Sequence, residues 1–467
     1  MKPSIRTGLV ALTLVIGLST SGPATAADLE PHQELARKIL KELIEINTTD
    51  SVGDNTEAAN AMAARLLTAG FSEDDVQVFE PQAGKGNLVA RYRGTGDRSP
   101  ILLLAHIDVV EAHLDDWSFD PFVFREEDGY FYGRGTSDDK AMAAIWVANF
   151  IRMKEEGFTP DRDLIMALTA DEEGGDHNGV KWLIANQREL IDAAYCLNEG
   201  GFGSMREGRY VSNDIQLSEK VYTTFQLEVT NPGGHSSVPE KDNAINRLAA
   251  GLVRLAEFEF PVDLDEITTT FFERRGAIEG DDYGLAMSAL AKDPTNRIAI
   301  AKLAEVPYYN SIMRTTCVAT QIEGGHAENA LPQMARATVN CRMLPSDDPV
   351  KVQKKLKKAL NDDEISISVI WEPTPSPPSP LMPEVMTAVE SVTEAMWTGI
   401  PVIPTMMTGA TDGLYLRNAG IPTYGVSGIY WDVDDIRAHG QDERIGVKQF
   451  FEGQEFLYRL VKTLSTP

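Results

Sequence analysis

The sequence predicts an α/β protein: a mostly parallel sheet covered by helices on both faces, interrupted by a smaller α+β unit. Three observations carry that expectation. Over the first half, near-continuous apolar strands alternate with helices, as in sheets buried on both faces. Near Ser218 the strands change to apolar–polar alternation, the mark of a sheet with one open face. After the linker PTPSPPSP the first style returns. The expected organisation is therefore a body made of 27–217 and 374–467, with 218–373 inserted and 1–26 set aside.

Residues 1–26 hold Lys2 and Arg6, then GLVALTLVIGL, then Ala24-Thr25-Ala26. A positive start, a short apolar run and a small-residue cleavage site form an export signal. The run falls short of the ~20 residues a membrane span needs, and no cysteine follows it for lipid attachment. The expectation is an exported, periplasmic or secreted chain starting near Ala27, with no stable membrane insertion after cleavage. From Pro31 to Phe71, LARKILKELIEI and TEAANAMAARLLTAGF have helical spacing. NLVARYRG, PILLLAHIDVV, DLIMALTADEE and AYCLNEGG then read as strands, with helices AMAAIWVANFIRMKEEG and VKWLIANQREL among them. Within the insertion, KVYTTFQLEVTN, ARATVNCRML and ISISVIWE read as half-exposed strands, with DNAINRLAAGLVRLAEFE and VQKKLKKALND as helices. This is a small, ferredoxin-like α+β unit. The stretch 262–312 reads as mostly helical. VMTAVESVTEAM as helix, then IPVIPTMM and IPTYGVSG as strands, complete the body.

A chain of 467 residues exceeds what one core usually holds. Its net charge is −27, and loss of Lys2 and Arg6 with the signal takes it to −29. Such a surface repels nucleic acid and anionic membranes, whose binding rests on basic residues. Cys196, Cys317 and Cys341 are too few for a disulfide framework; one pair could form, and the sequence does not say which.

The chemistry gathers at the predicted strand ends, where open α/β sheets bind ligands. PILLLA ends in His106-Ile107-Asp108, and positions i and i+2 of a strand share a face. LIMALTA runs into Asp171-Glu172-Glu173, and AYCLN into Glu199. GRGTSDDK puts Asp138 and Asp139 before a helix, either of which also suits a helix N-cap. AHGQDERI adds His439 in a late polar loop. Carboxylates at the ends of buried strands are costly without a positive partner, and Arg134 and Lys140 are the main basic residues nearby. Two divalent metals would neutralise the cluster, and mixed imidazole and carboxylate donors suit zinc. His106 is then a ligand and Asp108 the carboxylate that orients it.

HIDVV, GRGTSDDK, TADEEGG, NEGG, PGGHSS, NALPQMARATVNCRMLP and AHG follow one another in an order that resembles the M20 family of di-zinc metallopeptidases and amidohydrolases. NEGG and the long insertion look most like its carboxypeptidase S branch. The resemblance implies two Zn2+ per subunit, with Asp138 bridging them. It implies His106 and Glu199 as further ligands of one ion, Glu173 and His439 of the other. Glu172 would be the general base and Asp108 the support of His106. His235 would steady the oxyanion, Asn329 and Arg342 would hold the substrate carboxylate, and Gly409 would offer backbone contacts. Ala141 and Ser346 stand where the family often has glycine, and neither is a ligand position. Dimeric members use the inserted unit as interface and a histidine from the neighbouring subunit, which implies a homodimer in which the insertion is both lid and interface, with His235 acting in trans.

The function expected is hydrolysis of a C-terminal peptide bond or of an N-acyl amino acid. An exported aminoacylase is the alternative within the class, and a non-catalytic metal- or solute-binding periplasmic protein the alternative outside it. Glu172 separates the last two readings, because a binder has no use for a second acid beside a ligand.

Overall fold

A computed structural model describes residues 29–466; the expected export signal lies outside them. Its main sheet has ten strands. At the centre, Arg162–Thr169, Arg98–His106, Tyr195–Asn198 and Thr423–Gly425 lie side by side and parallel. Strands Asn87–Tyr92 and Val76–Phe79 extend one side antiparallel. On the other side lie Arg209–Glu219, Gly203–Arg206, Tyr430–Asp432 and Val402–Met407. This is the helix-covered, mostly parallel sheet that the sequence predicts.

The apolar strands bury both faces because their side chains alternate. In Arg98–His106, Ile101, Leu103 and Ala105 join the larger core, while Leu102 and Leu104 enter the core on the opposite face. Each such leucine contributes about 1.5–3 kcal/mol when fully buried. Helix Lys140–Glu155 is buried along nearly its whole surface, which explains why its apolar residues run all round rather than in a stripe. Among the described residues, no helix is long and apolar enough to cross a membrane.

The chain leaves the main sheet at Glu219 and enters a second sheet at Val221. That sheet orders Thr316–Gly324, Met334–Met343, Val221–Thr230 and Ser366–Trp371, all antiparallel. Helices Ala244–Ala256 and Pro349–Leu360 pack against one face. The other face stays open, with Val318 and Trp371 each more than half exposed. Cys317 and Cys341 sit opposite one another on neighbouring strands and form a disulfide; Cys196 is buried and free.

The sequence expectation departs from the structure at several strands and at one helical stretch. It passes over Thr316–Gly324 and Arg209–Glu219, whose polar residues break the expected patterns. The helical stretch, here Glu266–Ile278, Asp282–Lys292, Arg297–Ala304 and Pro307–Met313, does not pack on the small sheet's helices. Its Phe271, Phe272 and Met287 share a core with Ile403 and Met406 of the main sheet.

Candidate metal and active site

Three adjacent parallel strands deliver their ends to one place. His106 closes the middle strand, Glu172 and Glu173 follow Arg162–Thr169, and Glu199 follows Tyr195–Asn198. Asp138 arrives on the loop before helix Lys140–Glu155, and His439 on the loop before strand Arg444–Gly446. The Asp138–Asp139 peptide is cis. The Asp138 carboxylate lies between the two imidazoles, with Oδ1 at 3.0 Å from His106 Nε2 and Oδ2 at 3.1 Å from His439 Nε2. His439 Nε2 also meets Glu173 Oε1 at 2.8 Å. Donor atoms of His106, Asp138 and Glu173 fall within 4.8 Å of one another, as do those of His106, Glu172 and Glu199.

Asp108 works on both sides of this arrangement. Its backbone carbonyl lies 3.1 Å from His106 Nδ1, with a carboxylate oxygen at 3.5 Å, so Nδ1 carries the proton and Nε2 faces Asp138. The same carboxylate accepts the backbone amides of Glu172 and Glu173 at 3.1 and 2.9 Å. One residue therefore fixes the imidazole and the acidic turn together.

The electrostatics are unbalanced. Asp138, Asp139, Glu172, Glu173 and Glu199 share only His106 and His439. The Glu172 and Glu199 carboxylates, half-buried, accept no hydrogen bond from any described residue, and Asp139 Oδ2 is buried without a partner. Burial pushes Glu172 well above the usual carboxylate range; His106 pulls it back, and Asp412 and Glu173 push it up. Burial does the same to Glu199, reinforced by Asp138 and Glu172. His106 resists charging through burial, yet Asp108 and Asp138 hold it well above its ordinary value. Hydrogen bonds to Asp138 and Glu173 raise His439 to about 10. Asp138 itself, though buried, is held below its usual range by hydrogen bonds from both imidazoles.

The two basic residues nearby do not relieve this surplus. Arg134 is taken by buried Glu443 at 2.6 Å, and Lys140 Nζ donates to the carbonyls of Leu43 and Ile46. Burial, which Asp108 and Glu443 only partly offset, pulls Lys140 down to about 7. Unpaired, buried carboxylates converging with imidazole nitrogens fit cations as the missing partners.

A cleft opens beside Glu172 and Glu173 and runs between the two sheets. Arg342 lines it, half-buried, with its guanidinium 4.7 Å from the Tyr222 ring and no acidic partner among the described residues. Ala410, Thr411 and Asp412 line it as well, whereas Gly409 does not. His235 and Asn329 come together on a short two-stranded pairing, where Ser236 N donates to Asn329 O at 3.1 Å. Neither lines the cleft of its own chain.

Several supporting residues escaped the sequence reading. Glu443, wholly buried, accepts from Arg134, Gly135 N, Ser137 N and Asp138 N, and so braces the Asp138 loop. It stood in the quoted AHGQDERI, four residues after His439. Glu219, also wholly buried, accepts from Arg417, Ser376, Gln216, Thr411 N and Thr411 Oγ1. It ties both chain crossings between the sheets to the Thr411 loop. No motif marked it.

Fold and site together define a metal-dependent hydrolase. The sequence profile of Peptidase family M20/M25/M40 matches residues 102–463, and the chain belongs to that family. It is 28% identical to N-fatty-acyl-amino acid synthase/hydrolase PM20D1 of Xenopus tropicalis, over 98% of this chain and 94% of that protein. It is equally identical to probable carboxypeptidase S-like 2 of Dictyostelium discoideum, over 94% and 86%. The M20 family metallo-carboxypeptidase Sso-CP2 from Sulfolobus solfataricus has the same fold, with TM-score 0.68 and 19% identity over 92% of this chain and 99% of that one.

Proposed function

We propose that this chain is an exported zinc hydrolase that cleaves the amide bond next to a C-terminal carboxylate, in a small peptide or an N-acyl amino acid. The observation that carries the reading is Arg342: a half-buried guanidinium without an acidic partner among the described residues, in the same cleft as Glu172 and Glu173. A planar fork of this kind pairs with a carboxylate as lysine does not. His106, Asp138 and Glu199 would hold one ion and Asp138, Glu173 and His439 the other. Ions held there would supply Lewis acidity towards the scissile carbonyl and lower the pKa of bound water.

The chain's own groups do the rest. Glu172, free of hydrogen bonds and raised in pKa, takes a proton from the attacking water and returns it to the leaving amine. Asp108 holds the Glu172 turn against His106 while this happens. His235 donates to the developing oxyanion. Because His235 and Asn329 sit outside their own cleft, we assign them to the cleft of a second copy, in a homodimer. His235→Ala and Glu172→Gln, each inactive alone, should regain activity when their subunits exchange; exchange without recovery removes the trans assignment.

The likeness to the Xenopus relative favours N-acyl amino acids, and that to the Dictyostelium one favours peptides. Zinc-loaded protein, incubated with dipeptides and N-acyl amino acids while free amine is followed, decides between them. Chelation should abolish turnover and zinc restore it. Metal binding with no turnover on any substrate would leave a binding protein instead.

A further inference from the structure

The cleft also carries a wall whose chemistry the reaction does not use. Val221 and Tyr222 from one strand and Trp371 from another line it on the side of the small sheet, and Leu414 and Tyr415 on the side of the main body. Register explains the grouping. Tyr222 faces Arg342 across adjacent antiparallel strands, and Trp371 ends the strand on the other side of Val221–Thr230. The Tyr222 and Trp371 rings meet edge to face, with centroids 6.0 Å apart. Trp371 remains 62% exposed and Tyr222 38%, so their contact with each other and with the Arg342 guanidinium leaves much of both rings uncovered.

We infer that Tyr222 and Trp371 form the subsite for the side chain of the substrate's C-terminal residue, and that this residue is large and apolar, above all aromatic. The inference rests on the proposed carboxylate-binding role of Arg342. An α-carbon carries both the carboxylate and the side chain, so a carboxylate held by Arg342 starts its side chain one atom away from that contact. The ring stacked beneath Arg342 is Tyr222, and the next is Trp371.

The charges beside Arg342 disfavour the alternatives. Lys220 lines the cleft, but its Nζ donates to Ser311 O, Arg314 O and Thr316 Oγ1 and has no proton to spare. Glu219 is saturated by Arg417, Ser376, Gln216 and Thr411. An acidic side chain therefore finds no cation beyond Arg342, which its own α-carboxylate occupies. A basic one is placed against the Arg342 guanidinium, while the lining acid Asp412 lies on the main-body side with Leu414 and accepts from Asn178. An aromatic side chain gains ring contacts of the offset or edge-to-face kind and covers apolar surface that is otherwise wet.

The test uses metal-loaded full-length protein and two series, N-acetyl-X and Gly-X, with X as Phe, Leu, Ala, Asp or Lys. The acyl side is constant within each series, so differences report on X alone. We expect kcat/KM for Phe and Leu to exceed that for Ala at least about tenfold, with Asp and Lys lowest. Trp371→Ala should reduce the Phe-to-Ala ratio about tenfold, and Trp371→Phe should recover most of it. Asp or Lys as the best X, or a Trp371→Ala loss equal for Phe and Ala, overturns the inference and leaves the proposed function standing. No hydrolysis in either series overturns both.

Discussion

Two kinds of carboxylate lie within the candidate-site region, and their surroundings are opposite. Glu443 and Glu219 are wholly buried, and each is surrounded by donors from its own chain: an arginine plus backbone or hydroxyl groups. Glu172 and Glu199 lie close by, accept no hydrogen bond from any described residue, and are raised by burial and by each other's neighbours. Burying an unpaired charge costs several kcal/mol, so a chain that can saturate two glutamates and leaves two others bare has a use for the bare ones. Saturated acids hold the frame; bare acids wait for cations and protons.

That contrast can be broken by exchanging single carboxylates for amides. The largest effect should come from Glu172→Gln, which removes proton transfer without touching the frame: kcat should fall by about 10²–10⁴ while zinc content by elemental analysis and Tm stay near those of the parent. A variant that keeps its rate removes Glu172 as the base. Next comes Glu443→Gln, which strands the buried Arg134 and releases the Asp138 loop. Denaturant unfolding of the metal-free protein should show a loss of about 3–5 kcal/mol. Glu199→Gln should do the reverse, raising metal-free stability by about 1–3 kcal/mol because it relieves an unpaired buried acid, even as it lowers zinc content. Equal signs for Glu443→Gln and Glu199→Gln would dissolve the distinction.

The smallest effect is in pH. Glu172, Glu199, His106 and His439 all hold protons more tightly folded than unfolded. Their contribution to the metal-free protein is therefore full below the unfolded values of 4.5 and 6.5, and is lost as pH rises towards the folded ones, about 10 for His439. Asp138, depressed instead, contributes above 3.8 and loses that only in acid. Metal binding needs these groups deprotonated. The Tm gap between zinc-loaded and chelated protein should thus widen from pH 5.5 to 9, as read by calorimetry; a constant gap would mean the groups do not face the ions.

The sequence exposed the bare acids better than the saturated ones. His106, Glu172, Glu173 and Glu199 follow apolar runs, so polar residues there stand out against a strand that should be buried, and strand order brings them together. Glu219 ends SNDIQLSE, a strand whose Asn213, Gln216 and Ser218 are also buried. A buried polar strand reads as a loop, because its partners come from Ser376, Thr411 and Arg417, far along the chain. Strand Thr316–Gly324 was hidden for a different reason: it is an edge, exposed along most of its length, so no face imposes apolar alternation. The placement of His235 and Asn329 beside one another was invisible too, since the pairing of Gly234–His235 with Ala330–Leu331 joins segments separated by the whole helical stretch.

That helical stretch makes the small unit something other than a removable cassette. Phe271, Phe272, Met287 and Leu303 supply one side of a core whose other side is Ile403 and Met406 in the main sheet. A shortened gene that replaced 221–371 with a brief loop would leave those main-sheet residues naked and sticky, and a graft of the small unit onto another scaffold would carry an uncovered helical flank.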